Sequence, residues 1–538
     1  MRPRPWLWKG YSMGEVRYMH CTPVYTDGVR RLNQVERLPD GRLFTIACFG
    51  KVNQGGHFSK EPVSQYIMGR VSEDEGKTWK GPTFFYELPD RDPMVALAAF
   101  MIDRDGRIHA FFMRINNIDW HDTALLKGDI SYMRMDDEQG RNLIYKKIEA
   151  LDRYTGSMNN LIQLDSGRIV APFSTIPKGG GALVSSVVYS DDGGDTWRAS
   201  NDVSVVNDDK NIESGAVEPV VVQAAPGVLV MLIRTVLDRI WYSVSYDEGA
   251  SWCQAKPTLI PSSNAPSVPL SLEAGRILLC WNDVLGEPMY ANRSSYARQC
   301  LYAAVSGDGL KTLQGVRMIA RKRACDPDDV QNCYPFASHA GNGEVYLRPF
   351  SVFNDGVQWG EPQGTLLRLR PDDLLEMEMT DRFEEWVTDC PVDEAGIHMR
   401  PTKSGVAYAC VNFPYATEGE ITVHADRAGA LKGAKLILSD CYLDRLTFLP
   451  EKLSNGHANV IGKPYVEAEL PAGSDWQIAW NSGKLEVSST GGAQTVSLAE
   501  WGRGFNHLIL LFEGEGELNI RSFGMKALCA GMGTGIEY

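Results

Sequence analysis

The sequence predicts an all-β chain, a six-bladed β-propeller followed by a C-terminal β-sandwich of jelly-roll or lectin-like type. Two internal repeats and a change of pattern near residue 378 carry that expectation. The first repeat is a short box, Ser-x-Asp-x-Gly-x-Thr-Trp. It occurs as Ser72-Glu-Asp74-Glu-Gly76-Lys-Thr78-Trp79, Ser190-Asp-Asp192-Gly-Gly194-Asp-Thr196-Trp197, Ser245-Tyr-Asp247-Glu-Gly249-Ala-Ser251-Trp252 and, degraded, Ser306-Gly-Asp308-Gly-Leu310-Lys-Thr312-Leu313. Asp accepts bonds from neighbouring backbone N–H groups, Gly supplies a φ > 0 position, and Trp packs beneath. Four copies, each after alternating or β-branched residues, read as hairpin tips of a repeated four-stranded sheet.

The second repeat lies between the boxes: a polar residue, an apolar run, a Gly turn and another apolar run. Its six copies begin at Arg31, Asp92, Ser157, Glu218, Asn264 and Tyr334, and their turns hold Gly41, Gly106, Gly167, Gly227, Gly275 and Gly343. Each reads as the innermost hairpin of a blade. If all six inner strands start at one mouth of the channel, those six polar residues converge on one axis. Taken singly, a polar strand start is ordinary; a converging set with Arg, Asp, Glu and Tyr is a pocket.

At 538 residues the chain exceeds one usual core. The expected division is 1–378 for the propeller and 379–538 for the sandwich, whose strands include Ala434-Lys-Leu-Ile-Leu, Tyr465-Val-Glu-Ala-Glu-Leu and His507-Leu-Ile-Leu-Leu-Phe. A formal net charge of -14 and the lack of a basic stripe argue against nucleic acid. No apolar run has the length of a membrane span. The start, Met1-Arg-Pro-Arg-Pro-Trp-Leu-Trp-Lys, lacks the apolar stretch of a signal peptide. Eleven cysteines without a CxxC pair, Cys48, Cys280 and Cys410 among them in strand-like runs, suit a reduced, cytoplasmic setting. Nine histidines form no HExxH-like motif, so neither a metal nor a cofactor is expected.

Across residues 25–350 the chain resembles the sialidase superfamily of Asp-box, BNR-repeat propellers, in particular the bacterial exo-sialidases of glycoside hydrolase family 33. The matches run in order. Arg31-Leu-Asn stands where that family has Arg-Ile-Pro. Glu218-Pro-Val-Val-Val leads to Leu-Ile-Arg234-Thr, and Arg298 precedes the late box, with Arg293 as the nearby alternative. Tyr334-Pro-Phe-Ala heads the last inner hairpin. The resemblance implies an exo-acting, retaining, metal-independent hydrolase of sialic or related nonulosonic acid glycosides. Arg31, Arg234 and Arg298 would clamp the sugar carboxylate, which guanidiniums bind in a planar, charge-assisted way. Tyr334 would be the nucleophile and Glu218 its base, since a carboxylate nucleophile would be repelled by the substrate's own carboxylate.

The general acid departs from the family pattern. The segment Asn53-Gln-Gly-Gly-His57-Phe-Ser-Lys-Glu61 holds no Asp, leaving Asp92, His57 and Glu61 as candidates. In blade three, Thr155-Gly-Ser157-Met-Asn159-Asn160 offers polar groups for glycerol or N-acyl substituents, and Trp120-His121 with the loop 284–297 forms an expected rim. Two other readings fit parts of the pattern. One is a glycan-binding propeller without catalysis, which explains the missing Asp but gives no reason for a Tyr334–Glu218 pair. The other is a lyase or hydrolase for another acidic sugar.

Overall fold

Each inner hairpin closes on its predicted glycine. Gly41, Gly106, Gly167, Gly227, Gly275 and Gly343 all have φ between +71° and +92°, a region that a side chain at Cβ disfavours. The computed structural model describes residues 16–18, 20–25, 32, 34–50, 53–54, 57–58, 64–89, 94–117, 127–150, 153–177, 180–205, 215–283, 298, 300–322, 330–353, 365–388, 390–401, 405–428, 433–441, 443, 465–513 and 516–538. Among these, six antiparallel sheets form the blades. Blade 1 is built on Val35–Arg37, Leu43–Phe49, Tyr66–Ser72 and Phe85–Glu87. Blade 2 holds Met94–Ile102, Ile108–Asn117, Lys127–Met135 and Ile144–Lys147. In blade 3 the inner position is split between Thr155–Gly156 and Ile162–Gln163, followed by Ile169–Thr175, Val184–Ser190 and Arg198–Ala199. Blade 4 is Val217–Ala225, Val228–Arg234, Arg239–Ser245 and Lys256–Pro261, and blade 5 is Val268–Ser271, Ile277–Asn282, Leu301–Ser306 and Thr312–Lys322.

The ring closes through the N-terminal segment. Blade 6 supplies Val330–Gly341, Glu344–Phe353 and Thr365–Leu369, and its outer strand is Cys21–Tyr25, in register from Cys21 opposite Leu369 to Tyr25 opposite Thr365. Val16–Tyr18 extends blade 5 on Thr312–Lys322. One stretch of chain thus pairs with two neighbouring blades and covers their outer edges.

The boxes lie between the third and fourth strands of blades 1, 3, 4 and 5 with one bonding scheme. In the second copy Ser190 Oγ donates to Asp192 Oδ1 (2.8 Å) and accepts from Gly194 N (2.8 Å). Asp192 accepts from Thr196 N (2.8 Å) and Thr196 Oγ1 (2.6 Å). The fourth copy keeps these bonds through Ser306, Asp308 and Thr312. Leu310 occupies the glycine position there at φ +71°, fully buried, so its apolar contacts offset the strain.

From Glu378–Thr380 to Glu517–Ala530 the strands join one large sheet that folds into two layers. Its spine is Val406–Ala428, which pairs with Phe505–Glu513 up to Asn412, shifts register across Pro414, and then pairs with Asp475–Trp480 and Glu517–Ala530. Pro414 donates no ladder bond, and the break is where the sheet turns from one layer to the other. The first layer is buried on both faces. Ala407, Ala409 and Val411 join the sandwich core, whereas Tyr408 and Cys410 pack with Val220, Leu232, Leu279 and Tyr302 of blades 4 and 5. Polar groups key this contact: Asn412 Oδ1 accepts from Met318 N (3.0 Å), and its Nδ2 donates to Asn506 O (3.1 Å).

The last residues return to the propeller. Met532 and Gly533 pair with Leu313 and Thr312, Leu259 N donates to Thr534 O (2.7 Å), and Tyr538 Oη donates to Gly309 O (3.2 Å). Thr534, fully buried, donates through Oγ1 to Leu310 O (2.5 Å) and accepts from Ile536 N (3.1 Å). Thr534→Val strips both bonds and is expected to cost about 1–3 kcal/mol in urea unfolding, the scale of a buried group left unpaired. A midpoint unchanged within error would show that these side-chain bonds add nothing to the fold.

The boxes also predict an acid response. The Thr78 hydroxyl and amide hold the Asp74 carboxyl at about 2. Burial works against ionisation at Asp192, yet the Thr196 hydroxyl and amide hold it too at about 2. Both folded values lie below the unfolded one of about 3.9, so the stabilisation is complete above that value and is lost as pH falls through the folded ones. The wild-type urea midpoint should therefore fall more steeply between about pH 4 and 2 than that of Asp74→Ala/Asp192→Ala. Parallel curves would sink this assignment.

Candidate active site

Two Pro-containing bulges aim the central side chains. On blade 4, Val217 faces Arg234 and Val220 faces Leu232, so Glu218 and Pro219 share one opposing residue. On blade 6, Cys333 faces Phe350 and Phe336 faces Arg348, so Tyr334 and Pro335 do the same. Proline suits such a site because no ladder donor is needed there. Glu218 and Tyr334 take φ +48° and +49°, and Ser157, at the corresponding point of blade 3, takes +45°. For residues with a side chain this conformation costs about 1–3 kcal/mol each. The strand head is held: Glu218 N donates to Ser174 Oγ (2.7 Å), and Ser174 N donates to Ser157 O (3.3 Å).

Four of the residues expected from sequence meet here. Tyr334 Oη donates to Glu218 Oε1 (3.0 Å). Arg234 Nη1 donates to Glu218 Oε2 (2.5 Å) and to Tyr334 Oη (2.7 Å). Arg298 lies with its guanidinium 5.4 Å from the centre of the Tyr334 ring. Glu218, Arg234 and Arg298 are buried, and Tyr334 keeps partial solvent contact. Burial pushes the Tyr334 phenol well above its ordinary value, the nearby Arg234 and Arg298 cations pull the other way, and Glu218 adds to the rise. Burial likewise raises the Tyr154 phenol to about 12, with the Glu218 charge adding to it. The phenol is therefore neutral at physiological pH. A carboxylate stands at hydrogen-bond distance to take its proton, and a guanidinium stands ready to stabilise the phenolate.

The sequence reading missed the parts that hold this cluster. Asn282 Nδ2 donates to Cys300 O (2.7 Å) and Asn332 O (2.9 Å), and Asn332 N donates to Arg298 O (2.6 Å). The Arg298 and Tyr334 segments are thereby tied together. A lone Asn ending the apolar run Ile277-Leu-Leu-Cys-Trp-Asn282 was the available signal. Ser174 gave none. Asn160 is committed to structure, since its Nδ2 donates to Val221 O (2.7 Å) and its Oδ1 accepts from Val221 N (3.0 Å). It clamps blade 3 to blade 4, and those groups do not read a sugar. Arg31, Asp92, Glu61, Arg293, Trp120, His121 and the loop 284–297 lie outside the described residues. His57 falls on the short strand His57–Phe58, paired with Asn53–Gln54.

Residues 92–347 match the family model described as BNR repeat-like domain. No curated protein matches the sequence. Among solved structures, a protein of unknown function from Dyadobacter fermentans is 16% identical, with 66% of this chain and 99% of that one covered and a TM-score of 0.46. A Trypanosoma rangeli sialidase complexed with 2,3-difluoro-KDN is 12% identical over 92% and 90%, with a TM-score of 0.43. The NanB sialidase of Streptococcus pneumoniae is 12% identical over 66% and 71%, with a TM-score of 0.44. The fold assignment rests on the six sheets themselves rather than on these distant likenesses. Residues 92–347, which match the BNR repeat-like domain, thus lie on a six-bladed ring that carries four boxes.

Proposed function

We propose that this protein is an exo-acting, retaining glycoside hydrolase that releases a terminal sialic or related nonulosonic acid from a glycoconjugate. The observation that carries the reading is the Tyr334–Glu218–Arg234 cluster beside Arg298. Arg234 and Arg298, with Arg31 as the third member implied by the family resemblance, bind the carboxylate on the anomeric carbon. Tyr334 Oη attacks that carbon as its proton passes to Glu218 Oε1, and the bond to the aglycone oxygen breaks as that oxygen gains a proton. Asp92, His57 and Glu61 are the candidates for the donor. Water then cleaves the tyrosyl glycoside, the phenol regains its proton, and the configuration is retained. An uncharged nucleophile suits a substrate that carries its own carboxylate at the reacting carbon.

Release of 4-methylumbelliferone from its α-sialoside tests this. The wild type should turn over, Tyr334→Phe should lose about 10³-fold or more in kcat, and Glu218→Gln about 10²- to 10⁴-fold. Release that survives Tyr334→Phe would remove the assigned nucleophile. If the wild type releases nothing but binds free sialic acid in calorimetry, the propeller is a glycan-binding one.

A further inference from the structure

A buried polar network crosses the otherwise apolar contact between the sandwich and blade 5. Its members are Asn412, Asn506 and His507 of the sandwich and Tyr302 of blade 5, all buried. Main-chain groups fix its polarity. Asn412 Oδ1 accepts from Met318 N (3.0 Å), so the amide nitrogen turns to Asn506 O (3.1 Å) and His507 Nε2 (3.2 Å). Facing that donor, Nε2 carries the lone pair of the ring. The proton lies on Nδ1, which donates to Asn506 Oδ1 (2.6 Å). Tyr302 Oη then donates to the same Nε2 (3.4 Å), and the two rings meet edge to face with centres 6.1 Å apart.

Both sandwich contacts land on one row of the propeller. Trp281 faces Tyr302 and Tyr302 faces Met318, so the row crosses three strands of blade 5. The Trp281 and Tyr302 rings pack with centres 6.0 Å apart, and the next residue in the chain is Asn282. Asn282 is the clamp that joins the Arg298 and Tyr334 segments through Cys300 O and Asn332 O. Arg298 is held in addition by Asn264 O, which accepts from its Nε (3.1 Å) and Nη2, while Asn264 Oδ1 accepts from Arg234 Nε (2.6 Å). A chain of direct contacts therefore leads from His507 through Tyr302 and Trp281 to the residue that ties the site together.

Apolar contact alone does not set this alignment. Burial of apolar surface is non-directional, so a layer that slides by a fraction of an ångström loses little. Hydrogen bonds weaken steeply with angle, and a slide leaves their buried groups unpaired. We propose that His507 is a positioning residue: with Asn412 it locks the row Trp281–Tyr302–Met318 against the sandwich and so sets the spacing of Arg298 and Tyr334. The kinetic consequence rests on the proposed function; the spacing does not.

Two substitutions separate positioning from packing. His507→Leu keeps apolar bulk but removes the acceptor that Asn412 Nδ2 and Tyr302 Oη share. His507→Gln keeps an acceptor for them. In crystal structures, His507→Leu should change the 5.4 Å between the Arg298 guanidinium and the Tyr334 ring centre by about 0.5 Å or more, and His507→Gln by less than about 0.3 Å. On the α-sialoside, well below each melting temperature, His507→Leu should lower kcat/KM about tenfold. His507→Gln should restore it to within about threefold of wild type. An unchanged spacing in His507→Leu would overturn the proposal. So would a lower melting temperature with wild-type kcat/KM, the mark of a merely structural residue. A wild type that cleaves no sialoside removes the proposed function, and the spacing still decides this inference. If His507→Leu does not fold, Tyr302→Phe carries the test, since it drops one donor and keeps the ring. It should shift the same spacing and lower kcat/KM about threefold; an unmoved spacing there overturns the proposal.

Discussion

A guanidinium at the centre of six sheets cannot be left without partners, because an unpaired buried charge costs several kcal/mol. Arg234, 7% exposed, meets that constraint with Glu218 from its own blade, Asn264 from the link to blade 5 and Tyr334 from blade 6. Satisfying one cation thus ties three parts of the ring together at the axis. The same bonds that neutralise the charge also line up a phenol, a carboxylate and a cation. Stability and the proposed chemistry therefore draw on one set of contacts, and a substitution at Glu218 acts on both. The removal of one partner of a buried pair strands the other.

The strained backbone follows the same logic. Most of the described non-glycine residues with positive φ sit in hairpin tips or boxes, as Glu75, Glu248 and Asn342 do. Glu218 and Tyr334 instead stand on the inner strands of blades 4 and 6, and Ser157 directly follows Thr155–Gly156 of blade 3. A regular strand would send these side chains into the tightly packed space between neighbouring blades. The bulge turns them toward the axis, at a cost met by local bonds such as Glu218 N to Ser174 Oγ. Strain repeated at equivalent positions of three blades marks the shared mouth as the place where the fold gives up regularity.

How much of this could be read in the sequence depends on how local each requirement is. The glycine turns and the boxes are set by φ and by bonds spanning about five residues, so their offsets survive as a repeat. Glu218 and Tyr334 were legible as heads of repeated inner hairpins, and Arg234 and Arg298 through their order and spacing in the resemblance to the family. Asn264 was visible as a strand head, but its service to two arginines exists only once blades 4, 5 and 6 meet. Ser174 and Asn282 act through backbone groups far away in the chain, and no pattern announces that. The long strand Val406–Ala428 was not read as one element. Its first half is buried on both faces and so loses the alternation that identifies a half-exposed strand.

That double burial bears on why the second domain is present. The cluster against which Tyr408, Cys410, Ile437, Ile509 and Leu511 pack includes Val230 and Leu232, on the strand that ends in Arg234. It also includes Leu279 and Trp281, on the strand that ends in Asn282. The sandwich therefore presses on the two strands whose last residues hold the site, rather than on a remote edge of the ring. The fourth box fits this arrangement. Trp in the intact boxes covers the sheet beneath it, as Trp252 does with its Nε1 donating to Gly249 O (3.2 Å). In blade 5 that duty passes to the returning segment around Met532 and Thr534, which pairs beside Leu313 and closes over Leu310. A Trp and a glycine are not needed there, because another part of the chain supplies the cover. The degraded box is thus the one on which the C-terminal segment packs.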